Sequence, residues 1–298
     1  MFSLLKFKKR NNEISFVSIL FLFPSFLIIA LFIFYPIVDS FLLSLYNWNG
    51  MDPVKTFVGL NNWKTLIFDL RFWGSLKNNI IILVLSIVIQ MPMGIFLALA
   101  LDYVGKRFNF LRSIYYLPML ISSVAIGFLF RYAYDPQFGI IAGILNMFKV
   151  TVPIDILGNP KYSIFAIIGV ICWQFIPFYF ILFVAAISSV PMELYEAAKI
   201  DGAKYREYAM KIVIPYISGT IKSGIILSMV GSLKYFDLIY VMTEGGPNGA
   251  TELMATYMYK NSFVTQRLGY GATIAFAMLI IISIISFFTF KKLNIEEK

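Results

Sequence analysis

Apolar residues gather into six stretches, most near the length of about 20 residues that a helix needs to cross a bilayer core. They run Phe16–Leu45, Asn78–Leu101, Ser113–Tyr134, Tyr162–Ser188, Gly219–Val241 and Gly271–Phe290. The first is longer and holds Pro24 and Pro36, which predicts a kink or a tilt. Lys6, Lys8, Lys9 and Arg10 ahead of it would suit a signal peptide. The apolar run is too long for one, however, and no small-residue cleavage site follows, so it reads as a retained helix.

Composition agrees with the pattern. Apolar residues make up 59% of the 298 positions and charged residues 14%, where a soluble chain carries roughly a quarter. Cys172 is the single cysteine and lies within an apolar stretch, so there is no disulfide framework. Histidine is absent, which removes the commonest general base and metal ligand and any Cys/His zinc cluster. The net charge of +9 fits basic loops between spans better than nucleic acid.

Those cations also orient the chain. Lys6, Lys8, Lys9, Arg10, Lys106, Arg107, Arg112, Lys199, Lys204, Arg206, Lys211, Lys291, Lys292 and Lys298 fall on one side. Lys55, Lys64, Arg71, Lys149, Lys260 and Arg267 fall on the other, a bias of 14 to 6. Five more lie at or within span ends and are not counted. The positive-inside rule then puts both termini in the cytoplasm. The fold class expected is all-α integral membrane with six transmembrane helices. Segment 1–76 holds the N-terminal tail, the first span and the first external loop, 77–290 a five-span core, and 291–298 a cytoplasmic tail.

The segment 190–215 does not read as a loop. Pro191 suits a first helical position, and Glu193 and Glu196 lie near the positive end of the helix. Ala197 and Ala198 favour helix and add almost no bulk. Gly202 permits a turn that a Cβ resists, and a second helix is expected to close at Pro215. A short amphipathic helix on the cytoplasmic face suits a groove in a partner, and it equally suits the lipid headgroup layer.

Here the residues resemble a known family. Glu196-Ala197-Ala198, Gly202 and Ile214-Pro215 are similar to the EAA loop of binding-protein-dependent ABC importer permeases. The wider string, from Pro191 through Glu193 and Asp201-Gly202 to Ala203, follows the same pattern. Thr243-Glu-Gly245-Gly246-Pro247-Asn-Gly-Ala-Thr251 could be a plain helix stop, since two glycines and a proline force an irregular turn. With Tyr257, Tyr259, Phe263 and Gly269-Tyr270-Gly271 after it, however, it resembles the carbohydrate branch of that family. That branch includes the larger maltose permease and the sugar and glycerol-phosphate permeases. Trp173-Gln174 through Ala185 and Tyr35-Pro36 fit it too.

The resemblance implies a type I importer fold in a bacterial cell membrane. It also implies a second homologous permease, two cytoplasmic ATPase subunits that bind ATP and Mg, and an extracellular sugar-binding lipoprotein. Glu193, Glu196, Ala197, Ala198, Asp201 and Gly202 would then couple to the ATPase. The chain lacks the extra N-terminal spans and large outer domain of the larger maltose permease, so that protein's regulation does not carry over.

No G-x-x-x-x-G-K-[ST] string occurs, so this chain has no such phosphate cradle, and the resemblance implies neither a cofactor of its own nor a catalytic role. Polar groups within spans are costly and mark candidate substrate contacts. Lys234 and Asp237, at i and i+3, are expected to share one helical face as a pathway pair, a buried structural pair or a snorkelling lysine. Trp173, Gln174, Tyr179 and Tyr235 are further candidates, since sugars favour aromatic faces beside hydrogen-bonding groups. Asn79, Gln90 and Gln174 are equally suited to interhelical hydrogen bonds.

A secondary transporter would show repeats and a midplane ion site, neither of which is visible. An intramembrane enzyme lacks a nucleophile–base pair. Among ABC importers, a non-sugar solute such as glycerol phosphate stays open.

Overall fold

The computed structural model describes residues 18–105, 110–147 and 155–293. Phe16, Lys6, Lys8, Lys9, Arg10, Lys106, Arg107, Lys149 and Lys298, used above for the first span and the orientation, lie outside the described residues. The chain is mostly helical. Its helices begin with α1 (Ser18–Ser44), α2 (Asn61–Ile67), α3 (Leu70–Val104), α4 (Phe110–Leu120) and α5 (Ser123–Ala133). Next come α6 (Ile140–Met147), α7 (Ser163–Ile187), α8 (Met192–Ile200) and α9 (Tyr205–Tyr216). The last four are α10 (Ser218–Lys234), α11 (Asp237–Thr243), α12 (Met254–Tyr259) and α13 (Leu268–Leu293). Among the described residues α1, α3, α7 and α13 are long and apolar enough to cross a membrane. Two bent pairs, α4 with α5 at 95° and α9 with α10 at 67°, bring the number to six if each pair is one span.

The helices form two compact units. The first takes in the described residues up to Phe68 together with Asn261–Ala277. In it a small antiparallel ladder, β1 (Tyr46–Asn47) with β2 (Thr56–Phe57), pairs Tyr46 with Phe57 and follows directly on α1. The end of α1 leaves carbonyls without helical partners. The Asn62 amide donates to Ser44 and Tyr46 oxygens at 2.8 and 2.9 Å. Gly269 is required where its backbone meets the Tyr46 carbonyl, since a Cβ there would collide with that oxygen.

The second unit, Asp69–Lys260 with the described residues from Met278, is built around α3 packed along α7. Asp69 sets the start of α3, accepting the Arg71 and Phe72 N–H groups at 2.9 and 3.4 Å. The helix therefore begins eight residues before the apolar run that marks it in the sequence. Gly94 lets the two helices touch: a Cβ there would lie 3.0 Å from the Tyr179 Cβ and 3.2 Å from its carbonyl carbon. At one end of this pair Ile82, Ile126, Ile171, Ile239 and Leu253 form a buried cluster. At the other, Met91, Phe183, Tyr208, Val213 and Ile217 form a second.

Four expectations are corrected. The third span is not one helix: Pro118 donates no bond, and α5 restarts where the Ser122 hydroxyl accepts the Val124 N–H at 3.3 Å. The fifth span ends at Lys234 rather than Val241, because Tyr235 turns extended (ψ 134°) and Phe236 leaves the helical region (φ −141°). Helix α8 starts at Met192 with Pro191 as its N-cap, and α9 runs through Pro215 to Tyr216 before it bends. Lys234 and Asp237 consequently lie on either side of a helix break and do not share a helical face.

Each break is closed by a buried carboxamide from a neighbouring long helix. Gln174 on α7 reaches the α4–α5 break, its Nε2 donating to the Ile121 carbonyl at 3.4 Å and lying 3.2 Å from the Ser123 hydroxyl. Asn79 on α3, fully buried, reaches the α10–α11 break. Its Nδ2 donates to the Ser232 carbonyl at 3.3 Å, and its Oδ1 accepts the Met254 N–H at 2.9 Å. One side chain so satisfies an orphan acceptor at the end of α10 and an orphan donor at the start of α12.

Two outcomes follow for the purified protein, read as thermal unfolding midpoints. Asn79→Leu strands both buried backbone groups, at about 1–3 kcal/mol each, and lowers the midpoint clearly. Gly94→Leu forces α3 from α7, costing about 1–3 kcal/mol of overpacking. An unchanged midpoint in either variant contradicts the packing described.

Candidate functional site

The segment 190–215 folds as two helices joined by a closed turn. Asp201 ends α8, and Gly202 takes φ +75°, open to glycine at no steric cost. The Gly202 N–H donates to Lys199 at 3.1 Å and the Ala203 N–H to Ala198 at 2.9 Å. Those two bonds are the Schellman pair, which satisfies carbonyls at the helix end and fixes the angle at which the chain leaves. The Lys204 N–H then donates to Glu207 at 3.0 Å and starts α9.

Helix α8 buries only Ala198. Glu193, Glu196, Ala197 and Asp201 are exposed, and neither glutamate makes a hydrogen bond or ion pair among the described residues. Beside them stand apolar side chains with little cover: Met192 is 62% exposed and Ile200 86%. Helix α9, in contrast, is seated, with Tyr208 and Val213, and Ile217 just after it, buried against α3 and α7. The arrangement is a fixed base carrying a helix whose exposed face mixes apolar and acidic side chains that stay uncovered among the described residues.

The Thr243–Thr251 segment is a self-closed loop. Glu244, Gly245, Asn248 and Gly249 all take positive φ, and the Gly246–Pro247 peptide is cis. The hydroxyls of Thr243 and Thr251 lie 2.7 Å apart, with Thr251 also 2.7 Å from the Gly246 carbonyl and Thr243 3.1 Å from that of Ile239. Two protons serve three contacts, so the two threonines work as a single clasp across the glycines. The loop is held from α3: the Asn78 amide donates to Glu252 and Gly249 oxygens at 2.9 and 3.2 Å. Tyr257 donates to Asp69 at 2.6 Å. Buried Glu252 pairs with Lys260 at 2.7 Å. Arg71, Gly74, Thr243, Gly245, Glu252 and Lys260 are among the residues that line a cavity of about 550 Å³.

The substrate candidates separate. Tyr179 is buried against Gly94 and serves packing, and Gln174 closes the α4–α5 break. Trp173 lies edge-on to Phe130 at 5.2 Å and keeps 44% of its surface exposed. Lys234 and Asp237 are exposed beside the second break, and Tyr235 in the break itself lies 5.7 Å from Phe175. Sequence reasoning named Tyr259 in the outer motif and missed how the break assembles it: Phe236 stacks on Tyr240 at 5.2 Å, and Tyr259 approaches both at 5.1–5.3 Å. It also missed Asn78 and the Glu252–Lys260 pair. The consecutive asparagines opening an apolar run were the available signal. Among the described residues no group of three His, Cys, Asp or Glu side chains could hold a metal.

Residues 90–294 match the family described as binding-protein-dependent transport system inner membrane component. A probable ABC transporter permease protein of Pyrococcus horikoshii is 36% identical over 91% of this chain and 93% of its own length. A trehalose/maltose transport system permease protein of Thermococcus litoralis is 30% identical over 95% of this chain and 93% of its own. In fold, a chain from a bacterial ABC transporter that imports the acidic polysaccharide alginate superposes with a TM-score of 0.84 at 22% identity, over 97% of this chain and 99% of that one. Projecting α8, the two bracketed breaks and the matched residues belong together: this chain is a multi-pass cell-membrane protein of the binding-protein-dependent inner membrane component family of ABC transporters.

Proposed function

We propose that this chain is one permease subunit of an ATP-driven importer for a sugar or oligosaccharide. Both termini and α8 face the cytoplasm, and the Thr243–Thr251 loop faces outward. Helix α8 docks into a separate ATPase subunit, one of two that bind ATP and Mg. A second homologous permease completes the channel, and an extracellular binding protein delivers the sugar. The observation that carries this reading is α8 itself. A helix with exposed Met192 and Ile200, unpaired Glu193 and Glu196, and a turn fixed by Gly202 is a surface built for a groove. Relatives named for trehalose/maltose and for multiple sugar-binding transport favour a carbohydrate cargo.

Transport then proceeds by alternating access. Closure of the ATPase pair displaces α8, and α9, seated on α3 and α7, carries that displacement into the spans. A surface whose contacts change with nucleotide state meets the requirement that a ligand must distinguish two conformations. Sugar would pass the α10–α11 break. There Tyr235 offers an apolar face, Lys234 and Asp237 offer charged hydrogen-bonding groups, and irregular backbone is tolerable where it lines a path.

Glu196→Lys reverses a charge on the docking face without touching the core. Sugar uptake by membrane vesicles should be lost, with the amount of inserted protein unchanged. Uptake at the wild-type rate in that variant would remove the coupling role from α8.

A further inference from the structure

The longest helix ties two distant parts of the second unit together. At its start, Asp69, Asn78 and Asn79 on α3 hold Tyr257, the Gly249 and Glu252 carbonyls, the Ser232 carbonyl and the Met254 N–H. At its end, the Tyr205 hydroxyl lies 2.9 Å from the Asp102 carboxylate and 2.8 Å from the Leu99 carbonyl. The Tyr205 ring meets Tyr103 at 4.9 Å and Tyr208 at 6.1 Å, and Tyr208 meets Tyr195 of α8 at 5.1 Å. Twenty-three residues of helix separate Asn79 from Asp102, a span of about 35 Å at 1.5 Å per residue. The tyrosine cluster is thus the polar and aromatic joint between the seat of α8 and α3.

We infer that Tyr205 and Asp102 are positioning residues for transport: they latch the docking helix to the inner end of α3, which acts as a rod that moves the Thr243–Thr251 loop and the α10–α11 break. The inference rests on the coupling role proposed for α8. A rigid element joined to its neighbours at both ends can carry coupling between sites. A 35-residue helix closely packed on α7 supplies the first, and the joints at Asn78/Asn79 and at Tyr205 supply the second. Tyr205 has one proton to give, and either acceptor on α3 keeps it attached. The joint therefore tolerates small angular changes without letting go.

The test uses the assembled transporter in lipid nanodiscs, with ATP and vanadate to trap the closed ATPase, so no sugar is required. A reporter thiol from Ala250→Cys, in the held loop, is titrated with a membrane-impermeant maleimide with and without trapping; native Cys172 is buried. With the native latch, trapping changes the labelling rate. Tyr205→Phe keeps the ring contacts and removes the hydroxyl, and should shrink that change by about two- to tenfold, the worth of one hydrogen bond. Asp102→Leu leaves the Leu99 carbonyl to accept the proton and should shrink the change less than Tyr205→Phe does. Asp102→Asn, which keeps an acceptor, should respond as the native latch does. The Tyr205→Phe/Asp102→Leu pair should be no worse than Tyr205→Phe alone.

A full response in Tyr205→Phe, additive losses in the pair, or reduced protein level with an unaltered response would overturn the latch. A reporter that never responds, although α8 cross-links to the ATPase, would sink the rod and leave the coupling role standing. Failure of α8 to cross-link would remove both.

Discussion

Backbone polar groups inside a bilayer must find partners within the protein, and that requirement governs the second unit. Two apolar stretches that read as continuous helices are in fact broken, and each break frees carbonyls and N–H groups that need partners. Gln174 and Asn79 supply those partners from intact helices. The breaks are fixed features for that reason, and the aromatic group of Phe236, Tyr240 and Tyr259 owes its existence to one of them. Each bracketing amide lies on a member of the α3–α7 pair, which meets closely at Gly94.

The same division between firm and unpartnered elements appears at the opposite end of α3. Helix α9 is buried by Tyr208 and Val213, with Ile217 just after it, while α8 gives the core only Ala198. Small residues on α8 therefore do two things. Ala198 lets the helix sit close to its base, and exposed Ala197 leaves a low surface beside Glu193 and Glu196 that a groove could receive. The Schellman bonds at Gly202 keep the base and the projection at one angle, which makes the pair suited to carrying a displacement.

Much of this was legible in the sequence. The apolar runs marked four single helices long enough to cross a membrane and two bent pairs, and α8, its turn at Gly202 and its continuation past Lys204 came from proline, alanine and glycine placement. The Thr243–Thr251 loop announced itself by its glycines. Hidden features share a cause, which is partnership across long sequence separation. Nothing around Tyr235 breaks helices locally; the break depends on Asn79, more than 150 positions away. The start of α3 at Asp69 is fixed by a single capping side chain ahead of the apolar run, and the Tyr205–Asp102 contact joins two helices 103 positions apart.

The claim on which the account turns is that α8 meets a motor protein at the inner membrane face. Glu193→Cys in the assembled complex, treated with a short thiol-to-amine cross-linker, measures this directly. The account predicts a cross-linked product containing the ATPase subunit and no reaction with impermeant thiol reagents added outside intact cells. Labelling from outside, or a thiol that reacts freely from within and captures no ATPase, would contradict it.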